Sequence, residues 1–419
     1  MNVRRTAAGR RGPTPSPARR LPILAALGVA VVLASGCGAS RPDDASWIEA
    51  ERSGSDPSRL RLVRVFERDG ARHELTGSFH SAWDPDVSPD ARRVLFAGVR
   101  SAGGLQGIHE IELATGRVRT RIEVQGRLHS PRHAADGTIV FLWNTTGKLP
   151  DRRAGVLHAL RPRSAKPQRI TFHSRLDLAP AIAPDGRVVF GIDGQDGLVA
   201  VNWDGTEIWS YNEPAGPDGS RPPTPLEPVS WLEDGMVLLA RSQGTDALFR
   251  IPASNRYYQT LPARPGDPVS TKVAVAVRAE PFLQPTLVEP QKPHGEIFCI
   301  DALEGRAAPP APTSPRDWPR IRIHVFTPAS ATAIDGSERA ATREVPLAPD
   351  GSFFAWVPAD RGLRFELVSR GRVLKTMHST AWVRPGEKRG CLGCHERHGV
   401  APPNRVPLAL DAPPVKVLQ

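Results

Sequence analysis

Pro180-Ala181-Ile182-Ala183-Pro184-Asp185-Gly186-Arg187-Val188-Val189-Phe190 is the stretch from which the fold is read. Asp-Gly makes a tight hairpin turn, and the β-branched run after it reads as a strand buried on both faces. The phrase stands earlier as Pro85-Asp86-Val87-Ser88-Pro89-Asp90-Ala91-Arg92-Arg93-Val94-Leu95-Phe96 and as Pro131-Arg132-His133-Ala134-Ala135-Asp136-Gly137-Thr138-Ile139-Val140-Phe141. A looser copy runs from Pro228 to Leu239. The turn aspartates Asp90, Asp136, Asp185 and Asp234 are 46, 49 and 49 residues apart. That period is the length of a four-stranded propeller blade. Each copy is followed by an outer strand and a second turn, as in Ile111-Glu112-Leu113-Ala114-Thr115-Gly116 and Val199-Ala200-Val201-Asn202-Trp203-Asp204-Gly205. A blade covers its faces only against its neighbours, so the array must close into a ring. The expectation is an all-β chain whose propeller has five to seven blades, with the aspartates forming turns rather than binding metal. These repeats resemble the TolB-type blade, in which Ser-Pro-Asp-Gly precedes an apolar strand; Ser88-Pro89-Asp90 and Ala183-Pro184-Asp185-Gly186 keep most of that pattern.

Upstream of the repeats, Met1–Arg20 holds six arginines and no acids, Leu21–Leu33 is apolar, and Ala34-Ser35-Gly36-Cys37 follows. This order reads as a signal peptide over 1–36. It resembles a bacterial lipoprotein signal, with Cys37 lipidated and the membrane a partner through that anchor. Residues 37–59 are polar and read as a tether. The net charge is +11, and subtracting the six signal arginines leaves +5. With no basic run interleaved with aromatics, that charge points to no nucleic-acid partner.

Downstream, the propeller is expected over 60–302, with Arg264–Ala302 supplying the last blade or the closing strands. A proline-rich linker follows at 303–319. Over 320–384, Ile321, Ile323 and Val325 alternate with Arg322, His324 and Phe326, and Phe353, Ala355 and Val357 follow the Asp350-Gly351 turn. The pattern is that of a small β-sandwich with half-buried strands. The last segment, 385–419, contains Gly390-Cys391-Leu392-Gly393-Cys394-His395-Glu396 and then Pro402, Pro403, Pro413 and Pro414 among others, so it has little room for the helices of an ordinary cytochrome c.

Cys-x-x-Cys-His is the signature of covalent c-type haem attachment. Two thiols one turn apart meet the two vinyl groups of a porphyrin edge, and the adjacent imidazole takes the iron. Cys391, Cys394 and His395 are thus the cofactor-binding residues of one covalent haem c, with His395 as proximal ligand. The competing reading is zinc on Cys391, Cys394, His395 and His398, which suits that ion less because Cys-His adjacency strains a tetrahedron. Cys299, in Glu296-Ile297-Phe298-Cys299-Ile300, reads as a small buried hydrophobe.

The order Asp350-Gly351-Ser352-Phe353, Val357-Pro358-Ala359-Asp360, Arg364-Phe365-Glu366-Leu367, Thr376-Met377, Arg384-Pro385-Gly386-Glu387 and Cys391-Leu392-Gly393-Cys394-His395-Glu396 resembles proteins related to the hydrazine synthase alpha subunit. Gly295-Glu296-Ile297-Phe298-Cys299-Ile300-Asp301 is similar to a further block of that family. The resemblance covers Glu280–Glu396 and implies a propeller holding a c-type haem. It also implies a tyrosine just after the motif as an iron ligand; Gly399 stands there in this chain, so what carries over is the haem-bearing propeller rather than hydrazine synthesis.

The sixth iron ligand decides between functions. No methionine follows the motif. Met377 or His378 is the distal candidate, and because they are consecutive at most one points to the haem. With neither bound, the distal face is open or weakly ligated, and the reading leans that way. Lys388 and Arg389 suit either propionates or a solvated face, and Trp382 suits packing. Three classes follow: an electron-transfer protein with a redox-protein partner, ranked first; a haem enzyme of small nitrogen or oxygen species; and a binding or scaffolding propeller with a structural haem. No Ser-His-Asp set or phosphate loop competes with the haem motif.

Overall fold

The computed structural model describes residues 45–417 except 55, 57–58, 146–153, 174, 196, 212–225, 233–234, 243–244, 253–258, 261–271, 305–317, 327–338, 378 and 393–403. Among the described residues five blade sheets follow one another in chain order. Blade one contains β1 (Ser46–Arg52), β2 (Leu60–Phe66) and β3 (Arg72–Glu74). Blade two has β4 (Ser81–Val87), β5 (Arg93–Val99), β6 (Gln106–Glu112) and β7 (Val118–Val124). Blade three has β8 (Arg127–His133), β9 (Ile139–Asn144), β10 (Ala154–Leu160) and β11 (Gln168–Arg169), with β12 (Asp177–Leu178) also paired to β10. Blade four has β13 (Ala181–Ile182), β14 (Val188–Gly191), β15 (Leu198–Val201) and β16 (Trp209–Ser210). Blade five has β17 (Leu226–Leu232), β18 (Gly235–Ser242), β19 (Thr245–Pro252) and β20 (Gln259–Thr260). The chain then returns as β21 (Val273–Ala274), which pairs antiparallel with β1 and so makes the fourth strand of blade one.

Burial explains why the middle strands read as unbroken apolar runs. Val94, Leu95, Phe96 and Ala97 are each 0% exposed. Val94 and Phe96 belong to the core shared with blade one (Ile48, Leu62), and Leu95 and Ala97 to the core shared with blade three (Ile139, Phe141). Blade three repeats the arrangement, because Ile139 and Phe141 face blade two while Val140 and Leu142 face Val188 and Phe190 of blade four. Each strand therefore joins two cores, the packing that obliges blades to form a ring.

The turn aspartates do what turn chemistry asks. Asp90 Oδ1 accepts from Arg92 N and the Ser88 hydroxyl, Asp136 Oδ1 from Thr138 N and its hydroxyl, and Asp185 Oδ1 from Arg187 N. Asp234 lies outside the described residues.

The sandwich is formed by β22 (His294–Cys299), β23 (Arg320–Phe326), β24 (Arg339–Pro346), β25 (Phe353–Pro358), β26 (Gly362–Ser369), β27 (Arg372–Thr376), β28 (Lys388–Cys391) and β29 (Val415–Lys416). One sheet has the order β28-β22-β25-β29 and the other β24-β23-β26-β27. Ile297, Cys299, Phe353, Ala355 and Val357 of the first meet Ile321, Ile323, Val325, Leu363 and Leu367 of the second in one core. Here strands bury alternate residues, the period of a sheet with one face in the core.

Three boundaries differ from the sequence reading. Ser46–Arg52, expected within the tether, pairs along its whole length with Leu60–Phe66. His294–Cys299, expected to close the propeller, pairs with β25 and β28 and is a sandwich strand. The proline-rich tail forms a 3-10 turn at Leu408–Asp411 and adds β29 beside β25. The reason for this last difference is a polar anchor: Asp350 Oδ2 accepts from Leu408 N at 2.9 Å, and Arg405 reaches Asp301 Oδ2 at 3.1 Å.

Between β21 and β22 the chain runs extended across the blade turns. Arg278 N donates to Pro89 O, Phe282 N to Pro184 O, and Gln284 Nε2 to Asp185 O. Gly186 has φ +84°, and a Cβ there would collide with Phe282 O, so this turn requires glycine. No helix among the described residues is long and apolar enough to cross a membrane.

Candidate functional site

The Cys-x-x-Cys-His motif begins at Cys391, the last residue of β28. That strand lies at the edge of its sheet and pairs in parallel with β22, in the register Glu296↔Lys388, Ile297↔Arg389, Phe298↔Gly390 and Cys299↔Cys391. Pairing continues past the strand, with Ile300 N donating to Cys391 O at 2.9 Å. Cys391 is half-buried and packs against the sandwich core, as does Met377, just past the end of β27. Gly390 is exposed beside the Phe298 ring, where a Cβ would come within 2.8 Å of it. Cys37, His378, Cys394, His395, His398 and Gly399 lie outside the described residues.

What aims β28 is the segment just before it. Ala381 and Val383 belong to the sandwich core, whereas Trp382 between them belongs to the core of blades three and four. Its indole is 0% exposed, donates to Gly205 O at 2.8 Å, and lies 6.3 Å from Phe172 and 5.8 Å from His173 by ring centroids. The next turn, Arg384-Pro385-Gly386-Glu387, is tied at both ends. Glu387 Oε2 accepts from Arg384 N at 2.7 Å, and Oε1 accepts from Glu207 N of blade four at 2.9 Å. The Arg384 guanidinium donates to Arg169 O at 2.9 Å and pairs with Asp360 at 3.0 Å without hydrogen-bond alignment. Arg389 donates to Ile208 O. Burial lowers the Arg384 pKa and raises those of Asp360 and Glu387. Low dielectric penalises each charge, so each depends on its partners.

These contacts reassign residues read from the sequence. Trp382 packs, as expected. Arg389 joins the propeller, and Lys388 is an exposed side chain 3.5 Å from Glu296. Arg-Pro-Gly-Glu, quoted above only as a family block, is the joint between the two domains. Its buried opposite charges around a Pro-Gly turn were the signal that could have revealed this role.

A second polar cluster lies between blades two and three. His133 Nδ1 is 2.8 Å from Asp86 and its Nε2 3.5 Å from Glu110, which also meets Arg121 at 3.2 Å; Arg278 stands 3.7 Å from Asp86. Burial disfavours the imidazolium, but Asp86 and Glu110 outweigh it and raise the His133 pKa. The His173–Asp177 pair, at 2.6 Å, is satisfied within the fold, since Asp177 also accepts from the Thr171 hydroxyl and Leu157 N. Among the described residues no group of three or more His, Cys, Asp or Glu is arranged to hold a metal ion.

The fold and this joint define a class: a β-propeller with TolB-like blades, welded to a β-sandwich whose edge strand leads into a Cys-x-x-Cys-His motif. Residues 329–396 match the family described as the hydrazine synthase alpha subunit middle domain, a span that includes the Cys-x-x-Cys-His motif and ends one residue past it. The hydrazine synthase structure from Kuenenia stuttgartiensis aligns with a TM-score of 0.65 and 17% identity, over 88% of this chain and 71% of that one. A protein TolB homolog from Chlorobium chlorochromatii is 31% identical over 134 residues, which is 32% of this chain and 28% of that protein's length. TolB from Acinetobacter baumannii aligns with a TM-score of 0.41 and 14% identity over 52% of each chain. Residues 329–396 are thus similar to the hydrazine synthase alpha subunit middle domain, and the chain shares its fold with the hydrazine synthase structure over 88% of its length.

Proposed function

We propose that the protein is an extracytoplasmic, lipid-anchored c-type haem protein whose work is electron transfer with a protein partner. The observation that carries this reading is the placing of Cys391 and Met377 against one sandwich core. The residues present fit the group: Cys391 is half-buried at the end of an edge strand, and glycine stands before it where a side chain would meet Phe298. Cys391 and Cys394 would hold the haem by thioethers and His395 by its imidazole, with Met377 or His378 the distal candidate. A bound haem supplies a one-electron iron couple. The chain's own part is to fix the attachment strand, which Trp382, Arg384 and Glu387 do by clamping it to blades three and four. Cys37 would anchor the mature chain to a membrane.

Optical spectra of the protein made with a cytochrome c maturation system test this reading. Electron transfer through six-coordinate iron predicts a low-spin spectrum that becomes high-spin in Met377→Ala or in His378→Ala. A chain that holds stoichiometric zinc and no haem ends the proposal. The match to the synthase middle domain favours a second reading, a haem enzyme acting on a small nitrogen or oxygen species. That reading predicts high-spin ferric iron and ready binding of carbon monoxide to the reduced protein.

A further inference from the structure

We propose that Cys299 is the redox partner of Cys391. In the chain without haem the two thiols close a disulfide between β22 and β28, and this bond masks Cys391 until it is reduced. The masking rests on the haem reading above, whereas the disulfide does not.

The geometry comes from the sheet. Cys299 and Cys391 are register partners on adjacent parallel strands. Neighbouring strands lie about 4.8 Å apart, inside the span of about 4.4–6.8 Å that separates the Cα atoms of disulfides. Partners in register project to the same face, and both side chains belong to or pack against the sandwich core. Cys299 is 1% exposed and Cys391 half-buried, so the two sulfurs differ in access. Cys391 is the last residue of β28, an edge strand with a neighbour on one side only.

The unequal access orders the chemistry. The oxidant is a disulfide of the oxidising compartment, small molecule or protein. The Cys391 thiolate attacks it and forms a mixed disulfide, releasing one thiolate. Cys299, held beside it, then attacks Cys391 Sγ and expels the second thiolate. Two S–H bonds are lost, one S–S bond forms, and two electrons and two protons pass to the oxidant, which becomes two thiols. A dithiol reductant reverses the exchange. Once reduced, Cys391 would be available to hold haem by a thioether, while Cys299 would stay a thiol.

The test uses the full chain made without haem maturation, treated with oxidised glutathione, denatured, alkylated with iodoacetamide and mapped by peptide mass spectrometry. The expected product joins the Cys299 peptide to the Cys391 peptide and leaves Cys394 alkylated. The Cys394→Ala chain should show the same link. A Cys391–Cys394 loop within one peptide, or alkylation of all three cysteines, overturns the proposal. For the masking, the wild-type chain and Cys299→Ala are co-produced with the maturation system under limiting reductant, and haem-bearing chains are counted by intact mass. A larger haem-bearing fraction in Cys299→Ala supports the masking, and an equal fraction overturns it. If neither chain takes haem while the Cys299–Cys391 link is found, the haem reading and the masking fall and the disulfide stands.

Discussion

Propeller and sandwich are both made of sheets of four strands, five in blade three, yet they use their strands in opposite ways. In the propeller, consecutive residues Val94 to Ala97 are all buried, because the two faces of β5 serve two different cores. In the sandwich, Phe353, Ala355 and Val357 are buried while Phe354, Trp356 and Pro358 are half-exposed, because one core serves one face. A ring of blades thus spreads its cohesion over many interfaces, while the sandwich concentrates it in one. The segment 381–383 belongs to both schemes, alternating residue by residue between the two cores.

That joint is where the comparison breaks most visibly. Trp382→Ala removes a fully buried indole from the propeller core and orphans Gly205 O, and should cost about 3–5 kcal/mol. Calorimetry should resolve one cooperative melt into two, with the sandwich separating from the blades. A single melt shifted by less than a degree would mean that the domains do not depend on this weld.

The two burial schemes predict different alanine scans. Leu95→Ala should cost about 2–5 kcal/mol and Phe96→Ala about 3–5 kcal/mol, although they point to opposite faces. In the sandwich, Phe353→Ala should cost a similar amount, whereas Phe354→Ala next to it should cost about 1 kcal/mol, with much of its area already in water. Denaturant midpoints decide the matter. Equal costs at positions 353 and 354 would erase the contrast.

Acid should weaken the blades through histidines buried in neutral form. Burial, aided by Arg100, lowers the His109 pKa to about 4, and burial, aided by Arg169, lowers that of His158 to about 4. A depressed folded value gives stability that is complete above the ordinary 6.5 and is lost as pH falls towards 4. His133 has the opposite sign: its raised value adds stability below 6.5, which is lost as pH rises through that value. His158→Gln should therefore lose about 1–2 kcal/mol less than wild type between pH 7 and 5, because its partly solvated ring discounts the full shift. Melting curves across that range read the difference, and parallel curves would place the acid sensitivity elsewhere.

The blades were legible because a repeated Asp-Gly turn and a strand buried on both faces leave a periodic trace. The sandwich strands after Arg320 were legible through their alternation. β1 was not, since Ser46–Arg52 is rich in charge: Glu49 and Glu51 lie half-buried on the face away from Ile48, Arg52 is exposed, and Glu49 meets Arg72. β22 was recognised as a strand but placed in the wrong sheet, because its parallel partner β28 lies some ninety residues on. At the site, Cys391 announced itself by motif. The roles of Trp382 and Arg384 did not, because their partners Gly205 and Arg169 are backbone carbonyls, which leave no mark in a sequence.

The smallest expected effect concerns a feature that both regions share. Asp185 in blade four and Asp350 in the sandwich each accept a backbone N–H two residues on, so one turn chemistry serves both burial schemes. They differ in their second oxygen. Among the described residues Asp185 Oδ2 meets the side chain of Arg187, while Asp350 Oδ2 holds Leu408 N and with it the tail that leads to β29. Asp185→Ala should therefore cost about 0.5–1 kcal/mol, the worth of one exposed hydrogen bond. Asp350→Ala should cost about 1–2 kcal/mol and expose the tail to proteolysis. Asparagine keeps the Oδ1 acceptor, so Asp185→Asn should be nearly neutral. Millimolar calcium should leave the melting temperature of wild type and Asp185→Asn alike unmoved. A calcium-dependent rise lost in Asp185→Asn would show that the repeated aspartates bind metal and are not simply turns.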